Sequence, residues 1–355
     1  MIDAVLLVSY GGPRGPEDVL PFMRNATRGR GIPDERLLEV SGHYQRFGGV
    51  SPINERNEEL VSALGAALAE RGLDVPVVIG NRNWTPFLAD ALAELAASGR
   101  RRVAVVITAA YASYSGCRQY REDLAAALAS LPDEPAFEFT KIGPYAETEG
   151  FVRPNARALA AAIRELGGPA RMPRVLFVTH SIPTAMDAAS GPGGEEATYH
   201  AQHRRVAERV AAAVAGELGA PAVWDETPWE LVFCSRSGAP HIPWLEPDVD
   251  ERLAELAADG VERVVTAPIG FINDHMEVVF DLDTQARETA AGLGLDYVRA
   301  ATVGVDPEFV ALLADAVVAG ERGTVAGAPT CGASCCLSGR PGAGRPTVLD
   351  NEGVA

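Results

Sequence analysis

Short apolar or β-branched runs alternate along this chain with longer stretches in which Ala, Leu, Glu and Arg recur at helical spacing. This alternation is typical of α/β units around parallel sheets, and it occurs once in each half of the chain. We therefore predict an α/β protein with two Rossmann-like domains, each a parallel four-stranded sheet flanked by helices. The predicted strands span residues 4–9, 75–79, 103–109 and 137–141, then 175–179, 230–234, 263–267 and 296–300. The predicted helices span residues 54–71, 86–98 and 118–130, then 198–218, 250–258, 274–291 and 307–320.

The same pattern divides the chain into four regions. Residues 1–145 and 146–304 are the two predicted domains, and residues 305–340 hold a last helix followed by a cysteine-rich segment. Residues 341–355 are rich in Gly, Pro and polar side chains. Such a tail buries too little apolar area to offset the entropy of ordering, so we expect it to be disordered.

The charge of the chain restricts its partners. The formal net charge is −17, so a nucleic acid or an anionic membrane would be repelled over most of the surface. Apolar runs such as residues 103–110 stop well short of the ~20 residues of a spanning helix. The N-terminus has neither the basic start nor the cleavage site of a secretory signal. We expect a cytoplasmic protein without a membrane span and without a nucleic-acid partner.

A histidine follows the predicted strand 175–179, at the edge of the sheet where ligands of such folds bind. His180 can accept protons at physiological pH, which suits a reaction that strips protons from a bound ligand. The alternative is a histidine that is merely hydrogen-bonded at a strand end. On this motif alone, the structural alternative is favoured.

Carboxylates occupy the start of the helix predicted after strand 263–267. Asp274, Glu277 and Asp281 have the spacing of one helix face. Oxygen ligands hold a divalent cation weakly enough to pass it on, unlike thiolates, so this face is a candidate entry path for a metal. A solvated acidic surface is the alternative, and Asp274 also suits the first turn of any helix.

The first predicted strand ends in a turn that could approach a flat ligand. Residues 9–13 read Ser-Tyr-Gly-Gly-Pro, and paired glycines permit a tight turn with close contact. Arg24, Arg28 and Arg30 follow in an otherwise acidic chain. Because arginine pairs bidentately with carboxylates, the segment indicates an anionic ligand. Solvated surface arginines are the alternative.

The five cysteines are unevenly distributed. Cys331, Cys335 and Cys336 fall within six residues, whereas Cys117 and Cys234 stand alone. In a reducing compartment, a cluster of this kind points to metal binding rather than to disulfides.

Four ordered motifs resemble those of the ferrochelatase family, and the resemblance extends over residues 5–320. Residues 177–183 resemble the strand that carries the family's histidine, and residues 268–277 resemble its second signature, which contains the essential glutamate. Residues 235–238 and 243–247 resemble the segment between them.

This resemblance implies the chelatase fold, a porphyrin cleft between the two domains, and insertion of Fe²⁺ as the reaction. It implies that His180 accepts protons and contacts the metal together with Glu277. It also implies an acidic path lined by Asp274, Asp281 and Asp283.

The N-terminal half is most similar to the monomeric, soluble members of Gram-positive type. Their substrate is coproporphyrin III rather than protoporphyrin IX, so the resemblance implies a lyase that makes Fe-coproporphyrin III in haem biosynthesis. It implies a monomer whose contacts with the preceding and following haem-pathway enzymes are transient. The implied porphyrin-binding residues are Tyr10, a ligand to the metal from the other face, with Arg28, Arg30, Tyr44, Ser51 and Tyr120.

The cysteine-rich segment resembles the tail of ferrochelatases that bind a 2Fe-2S cluster. Three thiolates need a fourth ligand, and Cys117 matches the family's internal cysteine. The resemblance thus implies a cluster held by Cys117, Cys331, Cys335 and Cys336, with Cys234 in the core. Zinc is the alternative, although adjacent cysteines chelate one tetrahedral ion awkwardly.

Three other functions stay open at this point. The chain could insert iron into protoporphyrin IX, or carry a tetrapyrrole or iron without catalysis, or insert cobalt or nickel into a related tetrapyrrole. A carrier has no need of His180 beside Glu277, and cobalt or nickel chelatases usually use paired histidines. Both considerations favour a ferrochelatase.

Overall fold

The computed structural model describes residues 2–29, 31–132, 135–219, 229–238, 241–321, 331–332, 334–340 and 344–348. Within them, two four-stranded parallel sheets have the orders β2-β1-β3-β4 and β6-β5-β7-β8. The second half of the chain thus repeats the topology of the first, as predicted. The strands are β1 (Ala4–Ser9), β2 (Val77–Asn81), β3 (Arg102–Ile107), β4 (Glu138–Ile142), β5 (Arg174–His180), β6 (Trp229–Cys234), β7 (Arg263–Ala267) and β8 (Asp296–Arg299).

Helices cover both faces of each sheet. The α-helices are α1 (Val19–Ala26), α2 (Asp34–Gln45), α3 (Ile53–Glu70), α4 (Leu88–Ala97), α5 (Gln119–Ala129), α6 (Glu149–Glu165), α7 (Thr184–Ala188), α8 (Tyr199–Leu218), α9 (Val249–Ala258), α10 (Met276–Phe280), α11 (Arg287–Leu293) and α12 (Pro307–Glu321). Every residue of β1 is buried, because a central parallel strand has helices on both sides.

The predicted strands match the observed ones to within a few residues. The bounds of β1 and β7 agree with the prediction, whereas β2 begins two residues later than predicted, at Val77. Pro76 precedes it, and a proline has no N–H to donate to the ladder.

The helix predicted for residues 274–291 is wrong in its start and in its continuity. It begins at Met276, and a π-helical segment, Asp281–Ala286, separates α10 from α11. The extra residue per turn in a π-helix rotates the side chains that follow it. Asp274 therefore lies before the helix and does not share a helical face with Glu277.

The two halves are connected through one continuous core. Buried side chains of both sheets belong to a single apolar cluster, and α12 returns from the second half to pack on α3 and α6. Polar contacts also cross between the halves: the Tyr111 hydroxyl donates to the Ile269 carbonyl at 3.0 Å, and the Asn273 amide donates to Asn57 at 3.1 Å. The sheets fall on either side of the predicted boundary at residues 145 and 146, but their packing is shared.

Part of the segment predicted to be disordered contacts the N-terminal half. Arg345 pairs with Glu122 at 3.0 Å, and the Val348 carbonyl accepts a hydrogen bond from Arg121 at 3.1 Å. Residues 341–343 and 349–355, which the same prediction covers, lie outside the described residues.

Across the part of the chain that the structure describes, no helix is both long and apolar enough to cross a membrane.

His203 of α8 is fully buried between the halves. Its Nε2 lies 2.9 Å from the Thr179 hydroxyl, its Nδ1 lies 2.8 Å from the Tyr199 carbonyl, and its ring stacks on Tyr111 with 3.5 Å between centroids. Burial lowers the pKa of His203 from 6.5 to about 3. The imidazole is therefore neutral in the folded protein at every pH near neutrality.

This burial predicts a loss of stability in acid. Below pH 6.5 the unfolded chain binds a proton at His203 that the folded protein does not, so stability falls as pH falls and levels off only near pH 3. Between pH 8 and pH 5 the free energy of unfolding should lose about 2 kcal/mol through this group. Urea unfolding of the unmodified protein and of His203→Gln at pH 8 and pH 5 measures this change in the free energy of unfolding. An equal pH dependence in the two proteins would contradict the assignment.

Candidate active site

His180 is the last residue of β5 and lies opposite Cys234, the last residue of β6. Its Nδ1 is hydrogen-bonded to the carbonyl of Ser181. Because a carbonyl can only accept, Nδ1 carries the proton and Nε2 keeps a free lone pair. The side chain is about one-third exposed, so Nε2 is available as a base or as a metal ligand.

Glu277, in the first turn of α10, faces this imidazole. Its Oε2 lies 3.8 Å from His180 Nε2 and 3.9 Å from His275 Nδ1, and half of its side chain is exposed. Burial lowers the pKa of His275, so this second ring is neutral near pH 7. The predicted pair of His180 and Glu277 is thus brought together at the carboxyl edge of the second sheet.

Asp281 lies behind this pair, at the start of the π-helical segment. Burial, reinforced by the charge of Glu277, raises the pKa of Asp281 to about 7. Its carboxylate accepts a hydrogen bond from the hydroxyl of Ser235, a non-glycine residue with a φ of 61°. Ser235 follows β6, and the unusual φ is the kind of backbone strain that concentrates at functional sites. The motif around Ser235 was noted in the sequence, but its contact with Asp281 was not predicted.

Asp274 and Asp283 are both paired with Arg299. The Arg299 guanidinium lies 3.0 Å from Asp274 and 2.7 Å from Asp283, and the Thr302 hydroxyl donates to Asp274 at 3.1 Å. The structure brings these two carboxylates together through an arginine that the sequence did not single out. Their predicted role as metal ligands stays a prediction.

The N-terminal half contributes aromatic side chains to the same space. Tyr10 follows β1 and is 38% exposed, and Phe22 lies between it and Tyr44, with ring centroids 6.1 and 6.0 Å away. Burial raises the pKa of Tyr44, and the neighbouring charge of Glu277 raises it further. The ring of His43, next to Tyr44 on α2, stacks on Phe280 of α10 with 3.9 Å between centroids. The predicted residues of the two halves therefore lie beside one contact between α2 and α10, where a cleft is predicted.

Tyr120 is buried behind Tyr10 instead of lining the cleft directly. The Arg82 guanidinium lies 4.6 Å from the Tyr120 ring centroid and 5.7 Å from that of Tyr10, and it pairs with Asp123 at 2.6 Å. Arg82 thus connects Tyr120 to Tyr10. Arg82 was not predicted, because nothing in its local sequence distinguishes it from a surface arginine.

The other predicted ligand-binding residues are placed differently. Arg28 is exposed and donates to Asn25 at 2.6 Å, while Arg30 lies outside the described residues. Ser51 is buried beneath the glycine turn, and a side chain at Gly12 would lie 2.6 Å from its Cβ. The turn is therefore closely packed on Ser51, which agrees with the need for glycine there.

Four cysteines meet in a second place, between the halves. Cys117, in the π-helical turn Tyr114–Arg118, is buried together with Cys331, Cys335 and Cys336, and we call these residues the four-cysteine site. The sulfurs of Cys335 and Cys336 are 3.6 Å apart, and side-chain hydrogen bonds connect Cys331 with Cys117 and Cys336 with Cys117. Cys234 lies elsewhere, buried at the end of β6.

The four-cysteine site also contains a cation. Lys141 Nζ lies 2.9 Å from Cys117 Sγ and 3.2 Å from Cys331 Sγ. Hydrogen bonds from Cys117 and Cys335, with the charge of Lys141, lower the pKa of Cys331. Over the described ranges, no group of three or more His, Cys, Asp or Glu side chains could hold a single metal ion as they stand. The four sulfurs are thus neighbours that do not surround one point.

Comparison with known proteins identifies relatives of the whole chain. The family model described as Ferrochelatase matches residues 2–321. The coproporphyrin III ferrochelatase of Streptomyces griseus is 52% identical over 330 residues, which cover 90% of this chain and 87% of that protein. The protein of the same description from Streptomyces coelicolor is 53% identical over 323 residues, with 89% and 84% covered.

Among solved structures, SirB from Bacillus subtilis with Fe³⁺ is similar to this chain. The TM-score is 0.51 at 13% identity, and the match covers 92% of this chain and 99% of SirB. At this identity the likeness concerns the fold alone, and it confirms the predicted chelatase fold.

Proposed function

This chain belongs to the ferrochelatase family, and on that premise we propose that it inserts Fe²⁺ into coproporphyrin III with release of two protons. Relatives at 52% and 53% identity are named for this porphyrin. The observation that carries the proposal is the pair of His180 and Glu277, 3.8 Å apart, beside the contact of α10 with α2, the helix that carries Tyr44.

The reaction requires a base beside the macrocycle. The two inner nitrogens of the porphyrin lose their protons as the metal enters, and a base within hydrogen-bonding reach accelerates such a step. Two imidazoles face Glu277, and we assign the base to Nε2 of His180, because the His180 side chain is the more exposed of the two, at 30% against 21% for His275. Glu277 and then Asp281, whose pKa of about 7 suits a proton acceptor, continue from it into the interior of the second half.

Ferrous iron is a substrate, so its protein ligands must bind it weakly enough to release it to the porphyrin. Glu277 is half exposed at the cleft, and carboxylate oxygens bind divalent iron less firmly than thiolates do. We assign Asp281 to the same path. Asp274 and Asp283 both pair with Arg299, so one positive charge offsets two negative ones. We assign to them the remaining negative charge, which attracts Fe²⁺ to the path.

The opposite wall of the cleft holds the porphyrin. We assign Tyr10 to the face of the metal opposite His180, and Tyr44 packs on the same Phe22 ring as Tyr10. Ser51 supports the glycine turn under the macrocycle, and Tyr120 supports Tyr10 through Arg82. Arg28 and Arg30 are assigned to the propionates, because a guanidinium and a carboxylate form paired charged hydrogen bonds.

Turnover separates an enzyme from a carrier. With excess Fe²⁺ and coproporphyrin III under anaerobic conditions, the porphyrin absorption bands should be replaced by those of the iron product many times over per molecule of protein. Conversion that stops at one equivalent would make the chain a carrier. Faster insertion of Co²⁺ or Ni²⁺ than of Fe²⁺ would assign it to another kind of chelatase.

We further assign a 2Fe-2S cluster to the four-cysteine site. The donors fit, since four buried thiols from distant parts of the chain are neighbours and a cluster of this type takes four cysteine thiolates. Cys117, Cys331, Cys335 and Cys336 would hold it. When bound, the cluster would supply one-electron chemistry and a covalent link between the N-terminal half and the chain end.

Cysteine substitutions test this assignment. Protein purified without oxygen should be brown and contain about two irons and two sulfides, following the composition of the cluster. Cys331→Ser should lose both the colour and several degrees of melting temperature, because ligand binding energy is available only to the folded state. Cys234→Ser is the matched control, since its sulfur is equally buried but lies outside the site. Colourless protein with one equivalent of zinc would reject the cluster.

The cytoplasmic location, the monomeric state and transient contacts with other haem-pathway enzymes stay predictions.

A further inference from the structure

Lys141 is the only lysine of the chain, and the remaining basic side chains are all arginine. It is the penultimate residue of the edge strand β4, opposite Val105 of β3, and is 6% exposed. A buried strand position of this kind normally holds an apolar residue, because a buried charge is costly unless it is paired. We therefore expect the buried ammonium of Lys141 to be paired with a polar or negatively charged group.

Its partners are sulfurs and not carboxylates. Nζ donates to Cys117 at 2.9 Å and to Cys331 at 3.2 Å, and no acidic side chain of the described residues lies within ion-pair distance of it. Cys117 follows β3, whereas Cys331 comes from beyond α12, so the ammonium connects the two segments that form the site. By contrast Arg118, which is also buried at this site, is paired with Glu122 at 2.9 Å.

The choice of lysine over arginine also has a physical reason. An ammonium is compact, sits on a flexible stem and offers three donors in a small volume. The planar guanidinium needs a wider space and suits a flat carboxylate. Two sulfurs that lie 2.9 and 3.2 Å from one nitrogen favour the compact ammonium, although the chain has arginine in place of lysine everywhere else.

We propose that Lys141 is the counter-charge of the four-cysteine site, which favours retention of the cluster and stabilises its reduced form. This inference rests on the cluster assigned above. Four thiolates bring net negative charge into a buried space, and one-electron reduction adds another negative charge. A positive charge held beside Cys117 and Cys331 lowers the free energy of the reduced form most, because Coulomb interactions are strong at low dielectric. Lys141 would be a positioning residue that sets the reduction potential.

Two substitutions at position 141 isolate the charge. Lys141→Met keeps the length of the stem and removes the ammonium, whereas Lys141→Arg keeps the charge. In anaerobic redox titrations, Lys141→Met should lower the reduction equilibrium constant at least tenfold, which is about 59 mV for one electron. Lys141→Arg should change it by less, and Cys234→Ser should not change it. A cluster of unaltered potential in Lys141→Met would overturn the proposal.

The single lysine also permits a test in the unmodified protein. Incorporation of lysine labelled with ¹³C at the ε position gives one side-chain resonance, from Lys141 alone. Reduction of the cluster to its paramagnetic form should shift or broaden this resonance strongly, and cluster-free protein treated with the same reductant should show no change. A resonance that is insensitive to reduction would place Lys141 away from the cluster and overturn the proposal, even if both variants failed to fold.

Rejection of the cluster assignment and rejection of the role of Lys141 give different experimental results. Unmodified protein that contains neither iron nor sulfide as purified, and binds neither on reconstitution, would reject the cluster assignment and with it this inference. Normal iron and sulfide content with an unaltered potential in Lys141→Met would reject only the role of Lys141. Loss of the cluster from Lys141→Met, with retention in Lys141→Arg, would support the role of the charge in holding it.

Discussion

Replacing His180 by Ala should reduce kcat for iron insertion by about 10²- to 10⁴-fold, the usual contribution of a general base. The imidazole has its Nδ1 proton committed to the Ser181 carbonyl and its Nε2 directed at the cleft. The ring of His275, which also faces Glu277, is less exposed than that of His180. The measurement is steady-state insertion of Fe²⁺ into coproporphyrin III without oxygen.

The His180→Ala substitution should lower kcat without changing stability or porphyrin binding. His180 is partly exposed, so its removal leaves no large cavity, and the melting temperature should stay within a few degrees of the original. Binding of metal-free porphyrin should be retained. His241→Ala, which removes an exposed histidine, is the matched control and should keep full activity. A His180→Ala protein with more than a tenth of the original kcat would show that another group removes the protons.

Replacing Glu277 by Gln should reduce kcat/KM for Fe²⁺ by about a hundredfold or more, within the range for a group that moves protons or holds a charge in the reacting complex. The substitution keeps the shape of the side chain and removes the charge that lies 3.8 Å from His180. Because Glu277 contacts both the iron path and the base, we expect KM for iron to rise and kcat to fall together.

Glu288→Gln on α11 provides the comparison, since Glu288 is exposed and lies away from the cleft. This control should bind iron and turn over normally. If Glu277→Gln behaved like Glu288→Gln, Glu277 would be an ordinary surface carboxylate at the start of a helix, and the iron path would have to lie elsewhere.

The regular part of the fold could be predicted from the sequence because it depends on local patterns. The apolar runs of β1 and β7 can only be central strands, and their bounds agree with the structure. Helix α2 was missed because it buries little of its surface, with Leu37 as its buried residue, so it has no clear apolar period. The π-helical segment from Asp281 was missed because its register is set by tertiary contacts such as the one between Ser235 and Asp281.

The sequence predicted the residues proposed to contact the substrates, but not the residues that hold them in place. His180 ends β5, and Glu277 follows β7 after a loop, so both belong to the edge where parallel sheets bind ligands, and their positions follow from the chain order. The pairing of Arg299 with Asp274 and Asp283, and the position of Arg82 behind Tyr10, join residues far apart in sequence. No local pattern carries such information. The same holds for Lys141, whose neighbours in sequence give no sign of Cys331.

The substrate is the central claim, and a comparison of two porphyrins tests it most directly. Coproporphyrin III carries four propionates, whereas protoporphyrin IX has two vinyl groups in place of two of them. Each propionate paired with an arginine or a backbone donor contributes about 1.5 to 3 kcal/mol as a charged hydrogen bond. Losing two such bonds should cost about a hundredfold or more in kcat/KM, since 1.4 kcal/mol corresponds to a factor of ten.

The decisive measurement is kcat/KM for iron insertion into each porphyrin by the unmodified protein, in the same detergent and without oxygen. We expect coproporphyrin III to be preferred by about a hundredfold or more, from the loss of two charged hydrogen bonds. Equal or faster insertion into protoporphyrin IX would contradict this assignment.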